Sequence, residues 1–175
     1  MKTLFYAILM LFVGFTPFVM ANDIKWEYEQ KAKIISYLLD EITWPDTAYK
    51  DKNITVCLLG EFGDPKALGF LSGQKKQNRP VKIIKMTDQE GIIENCQLLF
   101  IARSHNNILH TLIETYKHKP ILLLAESEDF AKNGGSMNFI LLNNRVVGLT
   151  INQENLKDSS LVFRMKGIDA YTLIP

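Results

Sequence analysis

The sequence predicts an α/β fold: a three-layer sandwich with a mostly parallel central sheet, a C-terminal antiparallel hairpin and helices on both faces. Three observations carry this. Four short apolar runs, at 54–59, 81–86, 96–102 and 121–125, have the length and composition of buried strands. Helical periods and polar turns separate them, and strand–helix alternation places crossovers on the faces of a parallel sheet. Two further runs, 137–142 and 145–151, are joined by Asn143-Asn144, which suits a two-residue turn at positive φ.

Taken in order, the chain opens with Lys2, an apolar run over 4–20, and Val19-Met20-Ala21 ahead of the polar Asn22-Asp23. A basic flank, an apolar core and small residues at the cleavage positions describe a secretory signal. Residues 1–21 are expected to be removed by cleavage after Ala21, leaving one domain over 22–175. The rival reading is an uncleaved anchor, since the run approaches the length that spans a bilayer. Pro17 and the cleavage site argue against it. No cysteine follows the apolar core, so lipid attachment is not expected.

Tyr28, Ala32, Ile35, Leu39 and Ile42 recur at spacings of 4, 3, 4 and 3, one face of a helix over 24–43. Trp44-Pro45 ends it, because a residue before proline avoids helical geometry. The strand at 54–59 stops at Gly60. A short helix is expected over 65–71, a polar turn over 74–80, and a helix or loop over 87–94. Residues 106–116 carry Ile108, Leu109, Leu112, Ile113 and Tyr116 on one helical face. Asp129-Phe130-Ala131 begins a helical turn that ends at Asn133-Gly134-Gly135. A last helix is expected over 153–166, carrying Leu156, Leu161, Val162 and Met165.

Twenty basic residues include Lys2 of the leader, so 19 remain against 19 acidic ones in the exported chain. That balance has no electrostatic footprint for nucleic acid. Cys57 and Cys96 are the only cysteines. In an oxidising compartment an even pair points to one disulfide, with two buried free thiols as the alternative. Gly60-Glu-Phe62-Gly63 follows a strand, where a phosphate-binding turn would sit, but it lacks a third glycine and a Lys-Ser or Lys-Thr. Ligands favour the carboxyl ends of parallel strands, so Gly60, Phe62 and Ser104 form the candidate site of a small-ligand binder. Ser104 has no Gly-x-Ser-x-Gly elbow around it and reads as a loop or cap residue. His105, His110 and His118 lie 5 and 8 apart, which does not build a metal face, and no cofactor is expected. Glu126, Glu128 and Asp129 read as an acidic start to a helical turn. The sequon Asn53-Ile54-Thr55 opens a buried strand.

An ordered set of landmarks resembles the YfiR family of small periplasmic regulators of membrane-bound diguanylate cyclases. Lys31-Ala32 begins the helix that ends at Trp44-Pro45. Cys57-Leu-Leu-Gly60 fits the family's strand with Cys and Gly, and Asn78-Arg79-Pro80 occupies its Gly-Arg turn. Cys96-Gln-Leu-Leu-Phe-Ile resembles its Cys-x-x-Leu-Phe-Ile strand. Phe130-Ala131 with Gly134-Gly135 looks like its Phe-Ala-x-x-Gly-Gly signature. Ile151-Asn152 and Ser159-Ser160-Leu161 follow in place. A second cysteine pair found in some members is missing, and Asn78 replaces a glycine.

The resemblance implies a non-enzymatic periplasmic protein that binds the periplasmic portion of an inner-membrane signalling protein. It also implies release through an outer-membrane lipoprotein, and a homodimer. The expected partner contacts are Trp44, Gly134, Gly135, Leu156, Leu161, Phe163 and Met165. Phe163 falls off the face of Leu161 and Met165 and is the expected exposed contact; those two also read as ordinary core. An exported small-ligand binder is the alternative, and an enzyme is the least supported class.

Overall fold

The computed structural model describes residues 18–64, 66–86, 95–142, 146–164 and 171–174. The leader up to residue 17, the segment 87–94, the Asn143-Asn144 turn and Met165 lie outside the described residues, as does Pro65.

Helix α1 (Phe18–Glu41) starts before, and ends two residues short of, the span read from periodicity. Its stripe is the expected one: Ala32, Ile35, Leu38 and Leu39 are fully buried, as is Ile42 just beyond the helix. The last carbonyls of a helix need outside donors. Gln77 supplies two, its Nε2 donating to the Leu39 carbonyl at 2.8 Å and the Ile42 carbonyl at 2.6 Å. Ile42 and Thr43 are then free to form β1 (Ile42–Thr43). It pairs antiparallel with β9 (Val162–Phe163), Ile42 opposite Phe163.

The main sheet contains β2 (Ile54–Leu59), β3 (Lys75–Lys76), β4 (Arg79–Met86), β5 (Leu98–Ile101) and β6 (Leu122–Ala125). It is completed by β7 (Met137–Leu142), β8 (Val146–Asn152) and β10 (Tyr171–Ile174). The spatial order is β10-β8-β7-β6-β5-β2-β4-β3. From β4 to β7 every neighbour is parallel; β8 runs antiparallel to β7, and β3 antiparallel to β4. Strand placement reverses after β4, so the carboxyl ends of β2 and β5 flank a topological switch point. The polar turn expected over 74–80 is the tip of the β3–β4 hairpin. Gln77 and Asn78 sit at φ +50° and +63°, the two positive angles of a type I′ turn.

Alternating residues of the central strands serve two cores. Val56, Leu58, Phe100, Leu124, Phe139 and Leu149 pack with α1. Cys57, Leu59, Leu99, Ile101 and Leu123 pack on the other face with Leu112 and Ile113 of α2 (Leu109–Tyr116). Helices therefore cover both faces of a mostly parallel sheet. Cys57 and Cys96 form a disulfide between β2 and the lead-in to β5, with their Cα atoms 5.8 Å apart.

The C-terminal part departs from expectation. The last helix, α3 (Gln153–Asp158), is only six residues long. Ser160 takes φ +57°, the Leu161 N–H donates to the Leu156 carbonyl at 2.8 Å, and the Ser160 N–H donates to the Lys157 carbonyl at 2.9 Å. That is the left-handed stop usually made by glycine, and serine gives no such signal in a sequence. Strand geometry then sends Leu161 and Phe163 inward and Val162 outward, so Val162, not Phe163, is the exposed side chain. The β7–β8 hairpin forms as expected, and β10 adds outside β8, in parallel.

Candidate functional site

The switch-point crevice is filled by the protein itself. Gly60, at φ +84°, brings the backbone so close to the next loop that a Cβ would sit 2.6 Å from His105 Nδ1 and 2.8 Å from Ser104 Oγ. Phe62 is buried, edge-on to Tyr28 and to Phe100 with ring centroids 4.9 Å apart in each case. Ser104 and His105 lie on an exposed 3-10 turn, Oγ 3.0 Å from Nδ1. Gly60, Phe62 and Ser104 thus meet at one edge, with an aromatic plug where a ligand would enter. Among the described residues no group of three or more His, Cys, Asp or Glu could hold a metal ion.

Beneath the plug is a buried ion network. Lys31 and Glu126 have side chains only 4% and 5% exposed, with Nζ 2.7 Å from Oε1. Lys31 also meets Glu27 Oε1 at 2.5 Å and lies over the Tyr28 ring, 4.4 Å from its centroid. Glu126 Oε2 accepts the Arg103 backbone N–H at 3.1 Å. Burial first, and then the hydrogen bond to Glu126, push the Tyr28 phenol well above its ordinary value. Each charged group has a partner, as buried charge requires. The network locks α1 to the ends of β5 and β6. Sequence reasoning missed it, although Lys31 falls between Tyr28 and Ile35 on the apolar stripe.

The Phe-Ala-x-x-Gly-Gly stretch is a second buried knot. Gly134, at φ +100°, closes the turn: the Gly135 N–H donates to the Phe130 carbonyl at 3.0 Å and the Gly134 N–H to the Ala131 carbonyl at 3.1 Å. A Cβ on Gly135 would overlap the Phe130 ring. Asn138 Oδ1 accepts the Ala131 N–H at 3.0 Å, and Asn152 Nδ2 donates to the Ala131 carbonyl at 2.9 Å. Asn152 Oδ1 caps α3 by accepting the Asn155 N–H at 2.8 Å. Asn155 Nδ2 donates to the Gly134 carbonyl at 2.7 Å, while its Oδ1 accepts from Ser136 Oγ, also at 2.7 Å. Gly135 is therefore buried against Phe130, and Gly134 fixes α3 through its carbonyl. Trp44 is likewise buried, its indole N–H donating to the Gln97 carbonyl at 2.9 Å, away from the glycine turn.

What α3 positions is an apolar groove of about 460 Å³ between α3, β9 and β10. Leu156, Leu161 and Phe163 line it together with Ile151, Val162 and Leu173, with Lys157 and Ser160 at its polar side. Val162 is 61% exposed, the most exposed large apolar residue among those described. Phe163 packs edge-on to Tyr37, centroids 6.4 Å apart. The structure thus brings three of the expected contacts to one opening, and adds Val162, which the helix reading had grouped with Leu161 and Met165, and Leu173 of β10.

No helix among the described residues is long and apolar enough to cross a membrane. A search of curated proteins finds no match. The sequence model of the YfiR/HmsC-like family matches residues 28–166, which include the C-terminal part of α1, the Lys31–Glu126 pair, the glycine knot and most of the groove. The chain belongs to the YfiR/HmsC-like family of periplasmic proteins, which regulate diguanylate cyclase signalling by interaction with a membrane signalling protein and are regulatory rather than catalytic.

Proposed function

We propose that this chain is exported by residues 1–21, is cleaved after Ala21, and acts in the periplasm as a homodimer that holds an inner-membrane diguanylate cyclase inactive. The groove between α3, β9 and β10 is its docking face for the periplasmic portion of that enzyme. The observation that carries this reading is the convergence of Leu156, Leu161, Phe163 and the exposed Val162 on one apolar opening. A soluble protein rarely leaves such a patch without a partner. Regulation is then a matter of linkage: the protein favours the inactive state of the receptor by its higher affinity for that state. An outer-membrane lipoprotein that competes for the protein releases the receptor.

The test is Val162→Asp, introduced in the host. The substitution places a carboxylate at the mouth of the groove without touching a buried residue. Cellular cyclic di-GMP is expected to rise to the level of the deletion strain, with the variant still folded and present at normal abundance. Full repression by a folded Val162→Asp protein would overturn the docking assignment.

A further inference from the structure

The two edges of the main sheet are protected very differently. At one edge β3 is two residues long, and both are lysines, Lys75 and Lys76. Short strands and lysines are the usual guards against strand addition. At the other edge β10 reads Tyr171-Thr172-Leu173-Ile174, with no charge, and Tyr171, Thr172 and Leu173 are exposed. Among the described residues nothing pairs with its outer side.

We infer that β10 pairs antiparallel with β10 of a second copy of this chain, about a two-fold axis at Thr172, joining the two sheets into one. The inference rests on the homodimer reading above and supplies its surface. Like-to-like pairing sets each residue against its own strand, so any charge would meet itself across the axis. β10 meets that condition and β3 does not. With the axis at Thr172, Tyr171 of one copy lies opposite Leu173 of the other, and both pairs fall on the same face of the joined sheet. Each of these side chains is 38% exposed in the single chain. Leu173 also lines the apolar groove. An axis perpendicular to the sheet therefore sets the two grooves side by side on one face.

The experiment uses the protein purified after export. Sedimentation equilibrium gives the dimer dissociation constant for the natural chain and for Leu173→Lys, which places a charge beside the axis. Thr172→Cys and Lys76→Cys are then left to air oxidation and read on non-reducing gels; the native cysteines are already joined. The expected results are a dimer, a dissociation constant raised about tenfold or more by Leu173→Lys as like charges are juxtaposed, and a covalent dimer from Thr172→Cys but not from Lys76→Cys. A dimer that fails to cross-link through Thr172→Cys overturns this surface and leaves the homodimer standing. A monomer at every concentration overturns both, while the Val162→Asp test of the docking face stays independent.

Discussion

Replacing Lys31 with methionine removes the charge and keeps most of the volume. Glu27, with its side chain 25% exposed, can turn back to water. Glu126 cannot: at 5% exposure it keeps only the Arg103 N–H and the Tyr28 hydroxyl as partners. Breaking a buried pair in this way costs about 3–5 kcal/mol, because the remaining charge is stranded. Loss of the ammonium over the Tyr28 ring, 4.4 Å from its centroid, acts in the same direction. A domain of this size loses roughly 2–4 °C in melting temperature per kcal/mol, so Lys31→Met should melt about 6–20 °C lower. Urea unfolding of the disulfide-intact protein, followed by circular dichroism, gives the free energy directly. Lys31→Met/Glu126→Gln should recover much of the loss, since no charge is then stranded. Lys25 is the control: its pair with Glu29 spans 3.9 Å with side chains 66% and 46% exposed, and Lys25→Met should stay within about 0.5 kcal/mol. A Lys31→Met cost under about 1 kcal/mol, with no gain from the double change, would refute the argument that this pair locks α1.

Removing the disulfide by Cys57→Ala/Cys96→Ala frees a loop with a sequence separation of 39. It should cost about 4 kcal/mol in the chain-entropy account, read as a lower urea midpoint. Gly135→Ala forces a methyl into the Phe130 ring and should cost about 1–3 kcal/mol. Gly69→Ala meets open space and should change stability by less than about 0.5 kcal/mol in the same urea assay. The Tyr28 phenol is held protonated in the folded state above its ordinary value of 10.0. The unfolded chain therefore loses that proton first, and stability should fall as the pH rises above that value. Tyr28→Phe should flatten the fall above about pH 10, measured as the urea midpoint against pH.

Much of the fold is legible because burial writes itself as apolar periodicity. The α1 stripe, β2, β5 and β6 are each strongly apolar patterns, and each lies close to where the pattern puts it. The C-terminal segment reads as one long helix because its stop is Ser160 at positive φ, a conformation that serine does not announce. Two- and four-residue strands such as β9 and β10 are too short to show a period and are fixed by their neighbours. Leu156 and Leu161 are legible as apolar residues of one segment, with Phe163 set apart from them, but the register that turns Val162 outward depends on the pairing of β9 with β1, where Val162 lies opposite Thr43. The Lys31 network is written as a charge on an apolar stripe, and only the fold shows that Glu126 answers it.

The partners of α1 lie far along the chain. Lys31 waits for Glu126, 95 residues later, the stripe beneath it packs on β8, and β1 pairs with a strand at Val162–Phe163. A chain that emerges N-terminus first can begin to cover α1 with β2 and Phe62, but it carries Lys31 without Glu126 and β1 without β9 until those segments have followed. Closure of this fold is a late, long-range event, slow by its contact order. Any fragment truncated before β8 leaves part of the α1 face uncovered and β1 without its partner strand, and only a chain that reaches β9 completes both.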